Sequence, residues 1–136
     1  MVGRDSVPSV VADTHALVWH LVEPRRLGKG AQRAFAACDA GRWLCHVPVV
    51  SLVETWLLHE RGRLRIGPAQ ILEAIAGHPG YAALPLDVEQ AIVFGALPSI
   101  RDPMDRLIVA AARVTGGRLI SNDEVLRDHV RDIIWD

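Results

Sequence analysis

At 136 residues, half of them apolar, the chain is long enough to bury a core and suits one domain, taken as residues 1–136. A formal charge of −1 argues against holding nucleic acid by bulk electrostatics, so a polyanionic substrate must be met by local charge or by a metal ion. No run of about 18 apolar residues suggests a membrane span, and the stretch before Val7 opens no long apolar segment of the secretory kind.

The predicted elements alternate. Val7 to Ala12 is apolar and β-branched, and reads as a buried strand ending at Asp13. Thr14 to Val22 reads as a helix, Pro24 to Lys29 as a loop, and Ala31 to Ala40 as a helix stopped at Gly41. Trp43 to Val47 reads as a strand halted by Pro48, and Val49 to Glu60 as a helix followed by a turn at Gly62. Pro68 opens the next helix at the position proline favours, and Gly77 closes it. Ala82 to Leu86 reads as a short strand, and Asp87 caps a helix reaching Gly95. Asp102-Pro103 starts a helix that runs to Thr115 before Gly116-Gly117. Arg118 to Ser121 is strand-like, Glu124 to His129 helical, and Asp132 to Trp135 a last strand. Strands alternating with helices predict an α/β fold with a mostly parallel sheet. Sites in such folds gather beyond the carboxyl ends of the strands, where Asp13 and Asp123 fall.

Four acids draw attention by placement. Asp13 ends a strand and begins a helix, which also suits an N-cap. Glu54 lies in a helix apolar on nearly every side, which is therefore expected to be largely buried. At about 100° per residue it stands off the polar stripe of Ser51, Thr55 and His59, so its carboxylate needs a cation or a donor unless it reaches solvent. Asp105 points away from the solvated face formed by Asp102, Arg106 and Arg113. A capping box pairing Asp102 with Asp105 is the plain alternative, but it explains Asp102 better. For Asp123, a capping box of Ser121 with Glu124 leaves the aspartate in the first helical turn, and that account is sufficient alone. Carboxylates converging in one cleft repel each other, and a cation removes the conflict. All-oxygen sites suit Mg²⁺ or Mn²⁺. The six histidines are scattered and read as surface or satisfied residues. Cys38 and Cys45 lack metal-type spacing and read as reduced thiols of a cytoplasmic protein.

Taken in order, these segments resemble the PIN-domain family of the VapC type, the toxin half of bacterial toxin–antitoxin pairs. The resemblance runs from Val10 to Asp136. It is carried by Val11-Ala12-Asp13-Thr14-His15-Ala16-Leu17-Val18-Trp19, by Val50-Ser51-Leu52-Val53-Glu54, by Arg101-Asp102-Pro103-Met104-Asp105-Arg106-Leu107-Ile108 and by Ser121-Asn122-Asp123. Ile100 and Met104 depart from residues commonly found there, and leave the acids intact. The resemblance implies a three-layer α/β/α sandwich, with Asp13, Glu54, Asp105 and Asp123 as catalytic metal ligands. It implies a Mg²⁺- or Mn²⁺-dependent endoribonuclease acting on RNA, a homodimer, and an antitoxin protein as partner. Thr14 and Ser121 are expected to orient waters or phosphate. Arg106 is either a phosphate contact or half of a surface salt bridge. The exposed or core placement of Trp19, Trp43, Trp56, Leu57 and Leu58 is open; an exposed patch would mark a partner surface. Two rivals remain at this stage: a Mg²⁺-dependent phosphatase-like enzyme, against which His15 stands where a second aspartate is wanted, and a PIN fold serving only to bind.

Overall fold

The structure, a computed structural model, describes residues 7–136. The reading of the N-terminal stretch for a secretory segment falls largely outside them. Four strands form one all-parallel sheet: β1 (Ser9–Ala12), β2 (Leu44–Pro48), β3 (Tyr81–Leu84) and β4 (Arg118–Ile120), in the order β3-β2-β1-β4. Val10 pairs with Cys45, Val11 with Leu119, and Cys45 with Tyr81. Seven α-helices are described: α1 (Thr14–Val22), α2 (Lys29–Asp39), α3 (Val49–Glu60), α4 (Pro68–Ile75), α5 (Val88–Gly95), α6 (Pro103–Thr115) and α7 (Glu124–Arg127).

The period-two alternation of β1 divides the core. Val10 and Ala12 join a cluster with Leu17 of α1, Phe35 of α2 and Ile71 of α4. Val11 turns to the other face, against Ile108 and Val109 of α6, Ile100 just before that helix, Leu119 and Leu126. Helices thus cover both faces of the sheet, the expected α/β/α sandwich. Helix α6 shows how firmly local chemistry sets an element. Asp102 accepts from Met104 N at 2.9 Å, Pro103 occupies the first turn, and Gly116 ends the helix at φ 69°, a left-handed conformation glycine adopts without strain.

Two expectations need correction. The last strand, Asp132 to Trp135, is reduced to a single bridge between Ile120 and Ile134, because the Trp135 carbonyl turns away to accept from Ala31 N at 2.9 Å. Helix α3 is not largely buried. Ser51 and Thr55 are its buried residues, whereas Val49, Val53, Trp56 and Leu57 are exposed. The tryptophans divide accordingly: Trp19 and Trp43 pack partly buried on the core, and Trp56 does not. Among the described residues no helix is long and apolar enough to cross a membrane.

Candidate active site

Asp13 follows β1 directly, and its backbone N–H continues the strand pairing by donating to Ile120 O at 3.1 Å. Its side chain caps α1, with Oδ1 accepting from Ala16 N at 2.9 Å. Its Oδ2 accepts a very short hydrogen bond from Ser121 Oγ. Ser121 is fully buried and also accepts from Asp123 N at 3.0 Å, so one hydroxyl ties the end of β1 to the end of β4. Glu54 on α3 is half-buried and accepts from the buried hydroxyl of Thr14 at 2.6 Å. The side chain of Asp105, half-buried in the first turn of α6, makes no hydrogen bond to another described residue.

Electrostatics show which acids face one another. Burial pushes the Asp13 carboxyl above its ordinary range; its bonds to Ser121 and Ala16 and the charge of His15 oppose this, and Asp123 adds to it. Asp105 is pushed up to about 6, first by burial and then by repulsion from Asp102, Asp123, Glu54 and Asp13. The carboxyl on α6 thus senses the acids on β1, α3 and the β4–α7 turn together.

A cleft of about 200 Å³ opens at this end of the sheet, lined by Asp13, His15, Ala16, Trp19, Asn122, Asp123 and Trp135. It holds Asp13 and Asp123, while Glu54 and Asp105 bear on it from α3 and α6 without lining it. Among the described residues, no three His, Cys, Asp or Glu side chains are gathered tightly enough to ligate one ion as they stand. The donor set nonetheless suits a hard cation. Mg²⁺ keeps several waters and is usually held through one or two carboxylates, so the others can act through those waters.

Several assignments change in detail. Asp123 is itself the N-cap of α7, accepting from Val125 N at 2.8 Å, so the Ser121–Glu124 capping box does not form. The Thr14 and Ser121 hydroxyls, expected to orient waters or phosphate, donate to Glu54 and Asp13. Arg106 is committed elsewhere: its Nε donates to Ile100 O at 2.9 Å, and the guanidinium lies 4.5 Å from the centre of the Phe94 ring. It clamps the α5–α6 connection and forms no salt bridge among the described residues. His15, Asn122, Trp19 and Trp135 line the cleft and were not anticipated; for His15 and Asn122, adjacency to Thr14 and Asp123 was the available signal.

Residues 10–131 match the family model for the PIN domain. The chain belongs to the PIN-domain family. It is 35% identical over 125 residues to Ribonuclease VapC22 of Mycobacterium tuberculosis (strain ATCC 25618 / H37Rv), covering 89% of this chain and 92% of that protein. Its fold is similar to a chain in the crystal structure of VapBC2 from Rickettsia felis bound to a promoter DNA fragment, with a TM-score of 0.69 at 12% identity over 94% of this chain and 99% of that one. It is similar also to Mycobacterium tuberculosis VapC20, a sarcin–ricin loop cleaving toxin, with a TM-score of 0.62 at 16% identity over 92% of this chain and 98% of that one. Family membership decides against the phosphatase-like alternative.

Proposed function

We propose that this protein is a Mg²⁺- or Mn²⁺-dependent endoribonuclease, the toxin of a toxin–antitoxin pair, acting as a single nuclease domain in the cytoplasm. The observation that carries the site assignment is geometric: Asp13 and Asp123 line one cleft and are tied together through Ser121, and Glu54 accepts from Thr14, the neighbour of Asp13. The Asp105 carboxyl is raised by burial and in part by these acids, so the four repel one another. Such mutual repulsion is relieved by a bound cation.

Asp13, Glu54 and Asp105 would hold the ion directly or through waters, and Asp123 would complete the shell. When bound, the ion supplies a more acidic water and offsets charge on the phosphate under attack. Ser121 fixes the Asp13 carboxylate and Thr14 fixes that of Glu54, so these hydroxyls act as positioning groups. His15 and Asn122 stand at the cleft wall, where the RNA strand would pass. RNA as substrate follows from the ribonuclease relative. An antitoxin and a second copy of the chain follow from the toxin–antitoxin family type, and the exposed apolar residues of α3 give a protein partner a surface.

Thermal melts in EDTA, Mg²⁺ and Mn²⁺ test the metal site. An ion that binds only the native state at a hundred times its Kd stabilises by about 2.7 kcal/mol. An unchanged Tm at millimolar metal, with no heat of binding by calorimetry, contradicts the assignment.

A further inference from the structure

Two larger clefts flank the acids, and both are lined by arginine. The first, of about 700 Å³, adjoins the acid cleft at Trp19 and contains Arg63 and Arg65, which form no ion pair among the described residues, and Arg25 and Arg26. Arg25 and Arg26 pair with Glu23, at 3.2 and 3.8 Å, and Arg26 lies over the Trp19 ring. The second, of about 600 Å³, adjoins the acid cleft at Trp135 and carries Arg33, Arg42, Arg118 and Arg127. All four are exposed, and none pairs with a carboxylate among the described residues; Asp136 is the acid on that wall.

The second cleft is built, not incidental. It runs beside β4, the edge strand of the sheet, where residues 134–136 are pinned by the Ile134 N–H to Leu119 O at 2.8 Å and by the Trp135 carbonyl to Ala31 N. Gly30 lets α2 approach this wall; a Cβ there would stand 2.6 Å from Asp136 O. Arg118 Nε donates to Asp132 O at 3.1 Å and Arg127 Nη2 to Asn122 Oδ1 at 3.1 Å, which holds both heads in place with other N–H groups free. Asn122 is also on the wall of the acid cleft, so an arginine of one cleft is bonded to a residue of the other. A chain of charge −1 has therefore set four uncompensated guanidinia along one path that begins at the acids.

Resting on the nuclease reading, we infer that this cleft is the track for the RNA strand flanking the scissile bond. Arg127, bonded to Asn122 on the acid-cleft wall, meets the phosphate nearest the acids, and Arg33, Arg42 and Arg118 meet others along the cleft. Half-buried Trp43 offers an apolar contact for a base. Guanidinium suits the fixed geometry of phosphate oxygens. The first cleft differs in that Glu23 pairs with two of its four arginines, and it serves as the comparison for this track.

The test measures anisotropy of a fluorescein-labelled, mixed-sequence single-stranded RNA 20-mer with the full chain across a salt series. The double variant Arg33→Gln/Arg42→Gln is compared with Arg25→Gln/Arg26→Gln, an equal charge change in the first cleft. We expect the first pair to raise Kd about tenfold and to reduce the salt slope by about 1.4, at roughly 0.7 per lost phosphate contact on a single strand. The second pair should leave both near wild type. Equal effects from the two pairs, or none from the first, overturn the track. So does a loss seen with a labelled poly-glutamate peptide but not with RNA, which would assign the cleft to an acidic protein segment. A wild-type chain that neither binds nor cuts RNA contradicts the nuclease reading itself, a distinct failure.

Discussion

Helices α3 and α6 each deliver one acid, Glu54 and Asp105, yet they treat their apolar residues in opposite ways. Helix α6 buries Ile108, Val109 and three alanines and leaves Arg113 outside, as its pattern requires. Helix α3 buries Ser51 and Thr55 and exposes Val53, Trp56 and Leu57. The difference teaches that a hydrophobic pattern marks residues suited to burial without saying what buries them, and of these two helices only α6 satisfies its pattern within the chain. The exposed apolar residues of α3 offer a surface of the kind a protein partner covers, and its small polar side chains allow close packing on the domain.

The sharpest way to break this comparison is by truncation. Ile108→Ala removes fully packed side-chain volume and should cost about 2–5 kcal/mol by denaturant unfolding. Val53→Ala on the exposed face should stay within about 0.5 kcal/mol at concentrations where the chain is monomeric. A large loss from Val53→Ala under those conditions would show that α3 is buried after all.

A second, smaller effect concerns pH. Asp105 titrates near 6 in the folded state, against about 3.9 unfolded. Between those values the folded chain binds more protons than the unfolded chain, so its contribution makes stability fall as pH rises from about 4 to 6. Below that window the contribution is absent, and above it the penalty is complete. In EDTA, Asp105→Asn should therefore flatten the fall relative to wild type, and identical slopes would place Asp105 away from the other acids.

The smallest effect belongs to Ser51, whose buried hydroxyl has no hydrogen-bond partner among the described residues, unlike Thr55, which donates to Leu52 O at 2.6 Å. Ser51→Ala should be neutral or stabilising by up to about 1 kcal/mol, because it removes a buried group without a partner. A clear destabilisation would show that the hydroxyl is satisfied.

Much of this architecture was legible before the fold was seen. The bounds of α3 and α6 follow from Pro48, Gly62, Asp102-Pro103 and Gly116, since caps, prolines and turn glycines act locally. The acids were legible because they fall at strand ends and on apolar-sided helices. What escaped depends on tertiary contacts. The segment after Asp132 has strand composition, but α2 takes its Trp135 carbonyl. Ser121 resembles a cap until β1 brings Asp13 beside it. Arg106 shares the solvated face of α6, yet Phe94 and the Ile100 carbonyl capture it. The basic cleft draws Arg33, Arg42, Arg118 and Arg127 from separate stretches of the chain, so no local pattern announces it.

The most direct test of the central claim is cleavage of a structured RNA by the purified chain in Mg²⁺, in EDTA, and as the Asp13→Asn variant. Asparagine keeps the shape of the side chain and caps a helix about as well as aspartate, so the fold should survive. Cleavage in Mg²⁺ that is lost in EDTA and falls by at least about a hundredfold in Asp13→Asn is the predicted result. Wild-type rates from a folded Asp13→Asn, or cleavage undiminished in EDTA, would contradict a carboxylate-held metal as the basis of activity.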